Sequence, residues 1–147
     1  MCGFPENPVV LSETDTAIGF LSQNSSSLDR VKQRAEGMRY ITALPSLRAL
    51  NDRCRVPLVH RKRVRRERGT TFIFPCGDSY RVVVDDRHLL LIKRFGWMFT
   101  TSANLSGEPY DRDYAISVAD IVIHPVERNS SPSTIYRLGR RRVRRLR

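Results

Sequence analysis

The sequence predicts one mixed α/β domain built from short strands and short helices. Its 147 residues, 40% of them hydrophobic, are enough for one hydrophobic core but not for two. Apolar and β-branched runs alternate with stretches of helical periodicity along the chain. Two β-rich runs, Thr70–Phe74 and Tyr80–Val84, flank turn-forming residues at 75–78. We therefore expect at least one antiparallel strand pair within a mixed sheet.

The first half of the chain is predicted to contain two strands and three helices. In order, they are a strand at Pro8–Leu11, a helix from Leu28 that stops before Gly37 with Ser27 as N-cap, a strand at Tyr40–Leu44, a helix at Leu47–Arg53 with Ser46 as N-cap, and a helix after Pro57 across the basic run Arg61–Arg68. This last helix has only Val59 and Val64 as apolar positions. It is therefore expected to lie on the surface.

The second half is predicted to continue the alternation of strands and helices. After the hairpin follow a helix at Arg87–Phe95 capped by Asp85-Asp86 and stopped by Gly96, an apolar run at Trp97–Thr101, a helix at Asp111–Val118, a strand at Asp120–His124, a hydroxyl-rich turn at Ser130–Thr134 and a last strand at Ile135–Leu138. No nucleophile pattern accompanies His124, so we interpret it as a structural residue. Residues 140–147 are expected to form a basic tail that is mobile unless a negative partner orders it.

The polar loop Phe99–Pro109 is the most site-like stretch of the chain. It is rich in Thr, Ser and Asn and follows directly on the apolar segment Leu89–Phe99. Side chains and free backbone N–H groups near a glycine can hold an anion, because glycine permits close approach. Composition alone favours a simpler interpretation, a polar turn with Gly107 at positive φ and Pro109 closing it.

Four short segments, scattered along the chain, match the motifs of one known family. Thr101–Gly107 matches a Thr-Ser-Ala-Asn-x-Ser-Gly signature, and Val31–Arg34 contains a Lys-x-Arg motif. Thr14–Gly19 is similar to a Thr-[Glu/Asp]-Thr-x-Tyr-Gly segment, and Pro132–Ile135 to a Pro-Ser-Thr-[Val/Ile] segment. All four occur in the family's order. The chain thereby resembles, over nearly its whole length, the YrdC-like family, the threonylcarbamoyl-adenylate synthases of tRNA modification.

This resemblance implies a fold and a reaction. The fold is a single twisted sheet of parallel and antiparallel strands with flanking helices, formed here by residues 1–139, around a positively charged concave face. The reaction joins L-threonine, bicarbonate and ATP into threonylcarbamoyl-AMP and pyrophosphate, for modification of adenosine in tRNA. Mg²⁺ is expected with the ATP. Other tRNA-modification proteins are possible partners.

The resemblance also implies roles for individual residues. Lys32 and Arg34 would be catalytic, neutralising phosphate and carbamate charge, although cations at a helix end also complement the helix dipole. The remaining site residues are Ser102, Asn104, Ser133 and Arg81 for the nucleotide, and Thr14 and Thr16 for threonine. The four motifs are expected to border one pocket, into which Thr16, Lys32, Ser102 and Ser133 would face. Lys32 and Arg34 are expected to be partly exposed.

The net charge of +11 comes from two arginine-rich runs. Arg61–Arg68 holds six basic residues and one acidic, and Arg137–Arg147 holds seven basic and none acidic. Clustered arginine is typical of proteins that meet phosphate backbones, so tRNA or double-stranded RNA is a candidate partner. The residues expected to contact RNA are Arg61, Arg65, Arg68, Arg141 and Arg144. A solvated helix face, or a genome that favours arginine codons, would give the same runs.

Other features limit the location and the chemistry. No apolar run reaches the length of a membrane span, and the first six residues lack a leader pattern, so a cytoplasmic protein without membrane contact is expected. The three cysteines, Cys2, Cys54 and Cys76, are widely spaced and have no nearby histidine cluster. They indicate free thiols of a reducing compartment and no metal site.

Two functions of different classes are therefore open. The first is the enzyme, an L-threonylcarbamoyladenylate synthase. The second is a non-catalytic member of the same fold that binds double-stranded RNA or tRNA. The short chain and its departures from the family motifs favour the second: Ile18 replaces a tyrosine, the second lysine is missing with only Arg39 as a stand-in, and Arg68-Gly69 replaces Pro-Gly-Pro. The intact Lys-x-Arg and Ser-x-Asn pairs favour the first.

Overall fold

The computed structural model describes residues 5–35, 37–127 and 131–147, and these residues form one mixed sheet with helices on both faces. Cys2 and Ser130, the first residue of the predicted hydroxyl-rich turn, lie outside the described residues. The strands are β1 Val10–Ser12, β2 Gly19–Ser22, β3 Ile41–Leu44, β4 Thr70–Ile73, β5 Ser79–Val82, β6 Met98–Ser102, β7 Ile121–Ile123, β8 Thr134–Leu138 and β9 Val143–Arg145. The helices are α1 Ser25–Lys32, α2 Leu47–Arg53, α3 Arg61–Arg66, α4 Asp86–Phe95 and α5 Arg112–Val118. A short 3₁₀ helix at Leu58–His60 precedes α3.

The strand order is β7-β1-β2-β6-β3-β5-β4-β8-β9. β1–β7, β3–β5 and β4–β8 are parallel, whereas β1–β2, β2–β6, β3–β6, β4–β5 and β8–β9 are antiparallel. The prediction of a single sheet with both pair types is confirmed, as is the predicted β4–β5 hairpin. Among the described residues, no helix has the length and apolar content needed to cross a membrane.

Two predicted helices have their N-caps at the expected residues, and a third does not. Ser46 caps α2 by accepting a hydrogen bond from the amide of Ala49 at 3.1 Å, and Asp85 caps α4 by accepting from that of His88 at 3.0 Å. The prediction of Ser27 as the cap of α1 was wrong, because Asn24 accepts from the amide of Ser26 at 2.9 Å. α1 therefore starts and ends earlier than predicted.

The two faces of the sheet carry different helices. α4 packs on one face, where Ile92 meets Ala43 and Val10 in one buried cluster. α2 and α3 pack on the opposite face, where Val64 meets Leu44 in another. Consecutive residues of β3 thus reach opposite faces, as strand geometry requires. α1 lies on the same face as α2 and α3, because its Leu28 packs with Leu11, the neighbour of Val10.

The carboxyl-terminal segment is a strand of the sheet, not the mobile tail that its charge predicted. β9 pairs with β8 in the register Tyr136↔Arg145 and Leu138↔Val143. Beyond it, the amides of Leu146 and Arg147 both donate to the carbonyl of Ile135, at 2.8 and 3.4 Å. Two residues thus oppose one, as in a β-bulge, and this re-aims the side chain that follows.

Candidate functional site

The candidate site is a cavity of about 220 Å³ on the sheet face that also carries α4. β3 and β5 place it there, because Ile41 lies two residues from Ala43, and Arg81 pairs directly with Ala43. Its walls come from segments far apart in the sequence. They are Thr14, Thr16, Ala17, Arg34, Arg39, Tyr40, Ile41, Arg81, Thr100, Thr101, Ser102, Pro132, Ser133, Ile135 and Arg147.

All four motif segments therefore lie at or next to this cavity. Lys32, however, lies under the loop that follows β6 and not in the cavity wall. Its side chain is only 2% exposed and does not line the cavity. Its Nζ donates to the carbonyl oxygen of Ser102 at 2.9 Å and to Oδ1 of Asn104 at 3.0 Å, and lies 3.4 Å from Oγ of Ser102. The expectation that Lys32 would be partly exposed was wrong, because the last turn of α1 packs under the loop that follows β6.

Burial changes the acidity of this lysine. Desolvation, and then the positive charge of Arg34, lower the pKa of Lys32 from 10.5 to about 8.

Asn104, predicted to orient a nucleotide, is also turned inward. Its Oδ1 accepts from Oγ of Ser102 at 2.5 Å, and its Nδ2 donates to the carbonyl of Glu108 at 2.6 Å. The Lys-x-Arg and Ser-x-Asn motifs thus hold each other in place.

Arg34 is the member of the Lys-x-Arg motif that lines the cavity. It is half-buried, as expected, with its guanidinium 5.2 Å from the ring centre of Tyr40. Tyr40 is held in turn by its hydroxyl, which donates to Oδ1 of Asp29 at 2.6 Å. Nη2 of Arg34 lies 3.5 Å from Oγ1 of Thr101, and Nε has no hydrogen-bond partner among the described residues. Arg34 therefore has donor capacity left for a ligand.

The Thr14–Thr16 turn forms the wall next to β5. Oγ1 of Thr14 donates to the carbonyl of Ala17 at 2.5 Å and accepts from the amide of Thr16 at 3.1 Å. Nη1 of Arg81 donates to Oγ1 of Thr16 at 3.0 Å. The turn is thereby fixed on itself and onto the sheet, and both threonine side chains line the cavity, as predicted for a common pocket.

A buried ionic cluster lies behind this wall. Nε of Arg81 is 3.6 Å from Oδ1 of Asp15, and Nδ1 of His88 is 3.4 Å from the same oxygen. Burial by itself would raise the pKa of Asp15, but the adjacent His88 ring and the Arg81 charge lower it below its usual value. Burial lowers the pKa of Arg81, an effect that Asp15 opposes and Arg147 reinforces.

His88, which is completely buried, was not among the predicted site residues. The available signal was weak, since His88 lies one helical turn before the core residue Ile92. Nε2 of His88, Nε of Arg81 and both carboxylate oxygens of Asp15 have no hydrogen-bond partner among the described residues. The cluster is thus an ion pair with incomplete hydrogen bonding, one residue away from the cavity wall.

Ser133 and Arg147 close the opposite side. Oγ of Ser133 accepts from Oγ1 of Thr71 at 3.0 Å and lies 3.2 Å from Nη2 of Arg147. Nε of Arg147 donates to the carbonyl of Ser133 at 2.9 Å. Arg147 was not among the predicted site residues, because its segment was expected to be a mobile tail. The bulge after β9 brings it to the cavity.

The residues predicted to contact RNA lie elsewhere. Arg61 and Arg65 are exposed on α3, on the face opposite to the cavity, and Arg68 lies beyond the end of that helix. Arg141 is in the turn between β8 and β9, and Arg144 is in β9. Arg39, the stand-in for the second family lysine, does line the cavity, and its Nη1 donates to the carbonyl of Gly77 at 3.1 Å.

The lining suits a negatively charged, polar ligand. It contains four arginines, and no aspartate, glutamate or histidine is present among its described residues. No group of three His, Cys, Asp or Glu side chains that could hold a metal ion occurs in the described ranges. The cavity can therefore bind and neutralise an anion, while no carboxylate or imidazole among its described lining residues is available as a general base or a metal ligand.

Known structures share this architecture. The chain superimposes on P. abyssi Sua5 complexed with L-threonine with a TM-score of 0.80 and 17% identity, covering 95% of this chain and 50% of that one. E. coli YciO gives a TM-score of 0.78 at 18% identity over 97% of this chain and 83% of YciO. MTH1692 of Methanobacterium thermoautotrophicum gives 0.67 at 21% identity over 95% and 79%. The chain has the YrdC-like fold.

Sequence comparisons reach less far than the fold. No family model matches the chain. The uncharacterized protein MG259 of Mycoplasma genitalium is 29% identical in an alignment 146 residues long. This alignment covers 88% of this chain and 30% of that protein. The chain thus spans less than a third of the curated relative that it matches, and about half of Sua5.

Proposed function

We propose that this YrdC-like chain is an L-threonylcarbamoyladenylate synthase, which makes threonylcarbamoyl-AMP for modification of adenosine in tRNA. The observation that carries the proposal is the meeting of Thr14, Thr16, Arg34, Ser102 and Ser133 at one cationic cavity. The structure of P. abyssi Sua5 with L-threonine supports the choice of amino acid, since it has the same fold.

The chemistry requires anions to be gathered, not a nucleophile to be activated. The threonine amine adds to bicarbonate with loss of water, and an oxygen of the resulting carbamate attacks the α-phosphorus of ATP. The bond from that phosphorus to the leaving oxygen breaks, and pyrophosphate departs. Carbamate, triphosphate and threonine carboxylate are all anionic, so positioning and charge neutralisation are the contributions that the protein has to make.

Each wall of the cavity has a role in this scheme. Thr14 and Thr16 hold threonine. Arg34, whose Nε has no hydrogen-bond partner among the described residues, neutralises the carbamate and the phosphate that it attacks. Ser102 and Ser133 hydrogen-bond the nucleotide from opposite sides. Arg81 lies beside the threonine subsite through its bond to Thr16.

Lys32 and Asn104 act one layer away from the substrates. Because Nζ of Lys32 is committed to Ser102 and Asn104, it positions the Ser-Ala-Asn loop and adds positive charge beneath it. Lys32 is therefore proposed as a positioning residue that supports catalysis without direct substrate contact.

The size of the cavity limits what it can enclose. Its volume of about 220 Å³ is smaller than the range of about 300–1,000 Å³ usual for drug-sized ligands. It accommodates threonine and the reacting phosphate, while the adenosine end extends toward solvent. Magnesium, for which the cavity walls provide no carboxylate, would enter as part of the MgATP substrate.

A second function, non-catalytic binding of double-stranded RNA or tRNA, is favoured by Ile18. This residue stands in place of the family's tyrosine and, being an isoleucine, has no hydroxyl to offer a ligand. It is also only 1% exposed. The two arginine runs favour it as well.

Pyrophosphate release separates the two functions. The enzyme should release pyrophosphate from ATP only when threonine and bicarbonate are both present, with tRNA-modification proteins added as candidate partners in parallel. Arg34→Ala should lower the rate by about 100-fold or more, as for loss of one charge-stabilising donor. Arg94→Ala, an exposed arginine of α4, is the matched control and should retain full activity. A wild-type protein that is inactive with every substrate and partner would refute the enzymatic function and leave the binding function as the remaining proposal.

A further inference from the structure

A second pocket lies behind the cavity, on the opposite face of the sheet. β3 separates the two, because Ile41 lines the cavity whereas Thr42, the next residue of the strand, lines the second pocket. Phe99, which pairs with Thr42, lines it as well. The second pocket has a volume of about 400 Å³, within the range of about 300–1,000 Å³ that is usual for small-molecule sites. Neither the four motifs nor the proposed reaction uses it.

One wall of the second pocket is aromatic. Tyr40, Tyr80 and Phe99 line it. Trp97, the only tryptophan of the chain, packs edge-on against Phe99 with 5.0 Å between the ring centres. Aromatic side chains that line a pocket offer a surface on which a planar aromatic ligand can stack. The second pocket is therefore suited to a ligand that contains such a ring.

Two buried hydroxyl groups belong to the same lining. Thr42 is 6% exposed and Tyr80 is 7% exposed. Neither side chain hydrogen-bonds to another residue of the described ranges, in contrast to Tyr40, whose hydroxyl donates to Asp29. Buried hydroxyl groups in proteins usually have a hydrogen-bond partner. The hydroxyls of Thr42 and Tyr80 are thus available to polar atoms of a ligand.

The rim of the second pocket carries an excess of positive charge. Arg39 and Arg53 line it together with one carboxylate, Asp78, and no ion pair joins any of these three to a described residue. The guanidinium of Arg53 lies 5.1 Å from the ring centre of Trp97, and Nη1 of Arg39 donates to the carbonyl of Gly77 at 3.1 Å. Because a guanidinium has five N–H donors, both arginines keep donors for an anion.

The amino-terminal end of α1 lies at the same place. Ser25, the first residue of this eight-residue helix, lines the second pocket. Asn24 accepts from the amide of Ser26, and the first turn contains no acidic residue. The other first amides of a helix have no partner within it, and together with the positive end of the helix dipole they attract a phosphate group. A helix end, two guanidinium groups and two available hydroxyls therefore meet beside an aromatic wall.

We propose that the second pocket binds a nucleoside monophosphate, with the phosphate between the end of α1 and the two arginines and the base on the aromatic wall. Inorganic phosphate would leave the rings unused, and an uncharged aromatic compound would leave the guanidinium groups unused. The hydroxyls of Thr42 and Tyr80 hydrogen-bond the ribose or the base. This site goes beyond the proposed function and does not depend on it, because the second pocket and the cavity lie on opposite faces of the sheet.

The emission of Trp97 tests the proposal without any enzymatic readout, since this tryptophan contacts both Arg53 and Phe99. AMP should change the emission saturably, and calorimetry should give the same affinity. Adenosine and inorganic phosphate, each tested alone, should bind more weakly than AMP by about 10-fold or more, as for loss of a charge-assisted contact. UMP should bind about as tightly as AMP, because stacking on aromatic side chains tolerates any base.

Three variants test the residues that line the second pocket. Arg53→Gln should weaken AMP binding by about 10-fold or more, measured by calorimetry because this change also alters the surroundings of Trp97. Arg48→Gln, at an exposed arginine of the same helix outside the second pocket, is the matched control and should bind AMP as tightly as the wild type. Thr42→Val removes a hydroxyl and keeps the shape of the side chain, so it should weaken binding by about 3- to 10-fold.

Ser133→Ala distinguishes this site from the cavity, because Ser133 lines the cavity and not the second pocket. The variant should keep the change in Trp97 emission with AMP, whether or not the protein releases pyrophosphate. If Ser133→Ala loses AMP binding while Arg53→Gln retains it, AMP binds in the cavity and the proposal is overturned. Inorganic phosphate that binds as tightly as AMP would also overturn it, as would a wild-type protein that gives neither an emission change nor heat with AMP.

Discussion

Lys32→Met tests whether the buried ammonium group under the Ser-Ala-Asn loop is held at a cost in stability. In the folded chain the pKa of Lys32 falls from 10.5 to about 8. At 1.36 kcal/mol for each unit of pKa, the lowering of the Lys32 pKa from 10.5 to about 8 corresponds to about 3 kcal/mol. Methionine has a similar length and no charge, so it removes this cost together with the hydrogen bonds to Ser102 and Asn104.

The sign follows from proton linkage. Below pH 8 both the folded and unfolded states hold the Lys32 proton, and the full cost of the buried charge is present. Between pH 8 and 10.5 the folded state releases the proton while the unfolded state keeps it, so the free energy of unfolding rises with pH. Across this pH window, the free energy of unfolding of the wild type should thus rise by about 3 kcal/mol relative to that of Lys32→Met.

Urea unfolding of both proteins at intervals from pH 7 to pH 10.5 measures this difference. The free energies of unfolding of the two proteins are subtracted because other groups titrate in the same range. Burial raises the pKa of the Cys54 thiol to about 11, so this group lowers the free energy of unfolding as the pH rises, opposite to the effect of Lys32. Lys93→Met, a change at an exposed lysine of α4, is the matched control and should show a constant difference from wild type. A flat difference for Lys32→Met would refute the argument that burial holds this ammonium in a strained, charged state.

Two further predictions concern the charges around the cavity. If an anion binds above Lys32, pyrophosphate binding at pH 9 should take up close to one proton, measured by calorimetry in buffers of different ionisation enthalpy, and Lys32→Met should abolish the uptake. At the buried pair, Asp15→Asn leaves the Arg81 guanidinium without its carboxylate and should lower the free energy of unfolding by about 3–5 kcal/mol. The double variant Asp15→Leu with Arg81→Met should lower the free energy of unfolding by less than the sum of the two single changes.

Local signals in the sequence identified most of the elements. Caps such as Ser46 and Asp85, and the turn between β4 and β5, depend on residues close in the chain, so propensity and spacing sufficed. β9 could not be found in this way. Six of the eight residues at 140–147 are arginine, and the strand exists only because β8 offers an edge to pair with.

The candidate site was predictable to the extent that short motifs mark it. Thr16, Ser102 and Ser133 line one cavity, as expected from their motifs. The depth of Lys32 was not predictable, because burial depends on how the end of α1 meets a loop 70 residues later. Arg147 and His88 were missed for the same reason, since tertiary packing alone gives them their neighbours.

The positive charges around the cavity are only partly balanced by the described residues. Nε of Arg34 has no hydrogen-bond partner among the described residues, although a buried donor left unpaired costs free energy. Arg147 adds a third guanidinium and lowers the pKa of Arg81 further. The nearby carboxylate, Asp15, faces Arg81 from behind the wall and does not reach the cavity. An anionic ligand in the cavity would supply an acceptor for Arg34 and negative charge opposite the three guanidinium groups. The same reasoning predicts that the arginines, more than the hydroxyls, determine affinity, whereas the threonines, fixed by their own hydrogen bonds, determine which molecule fits.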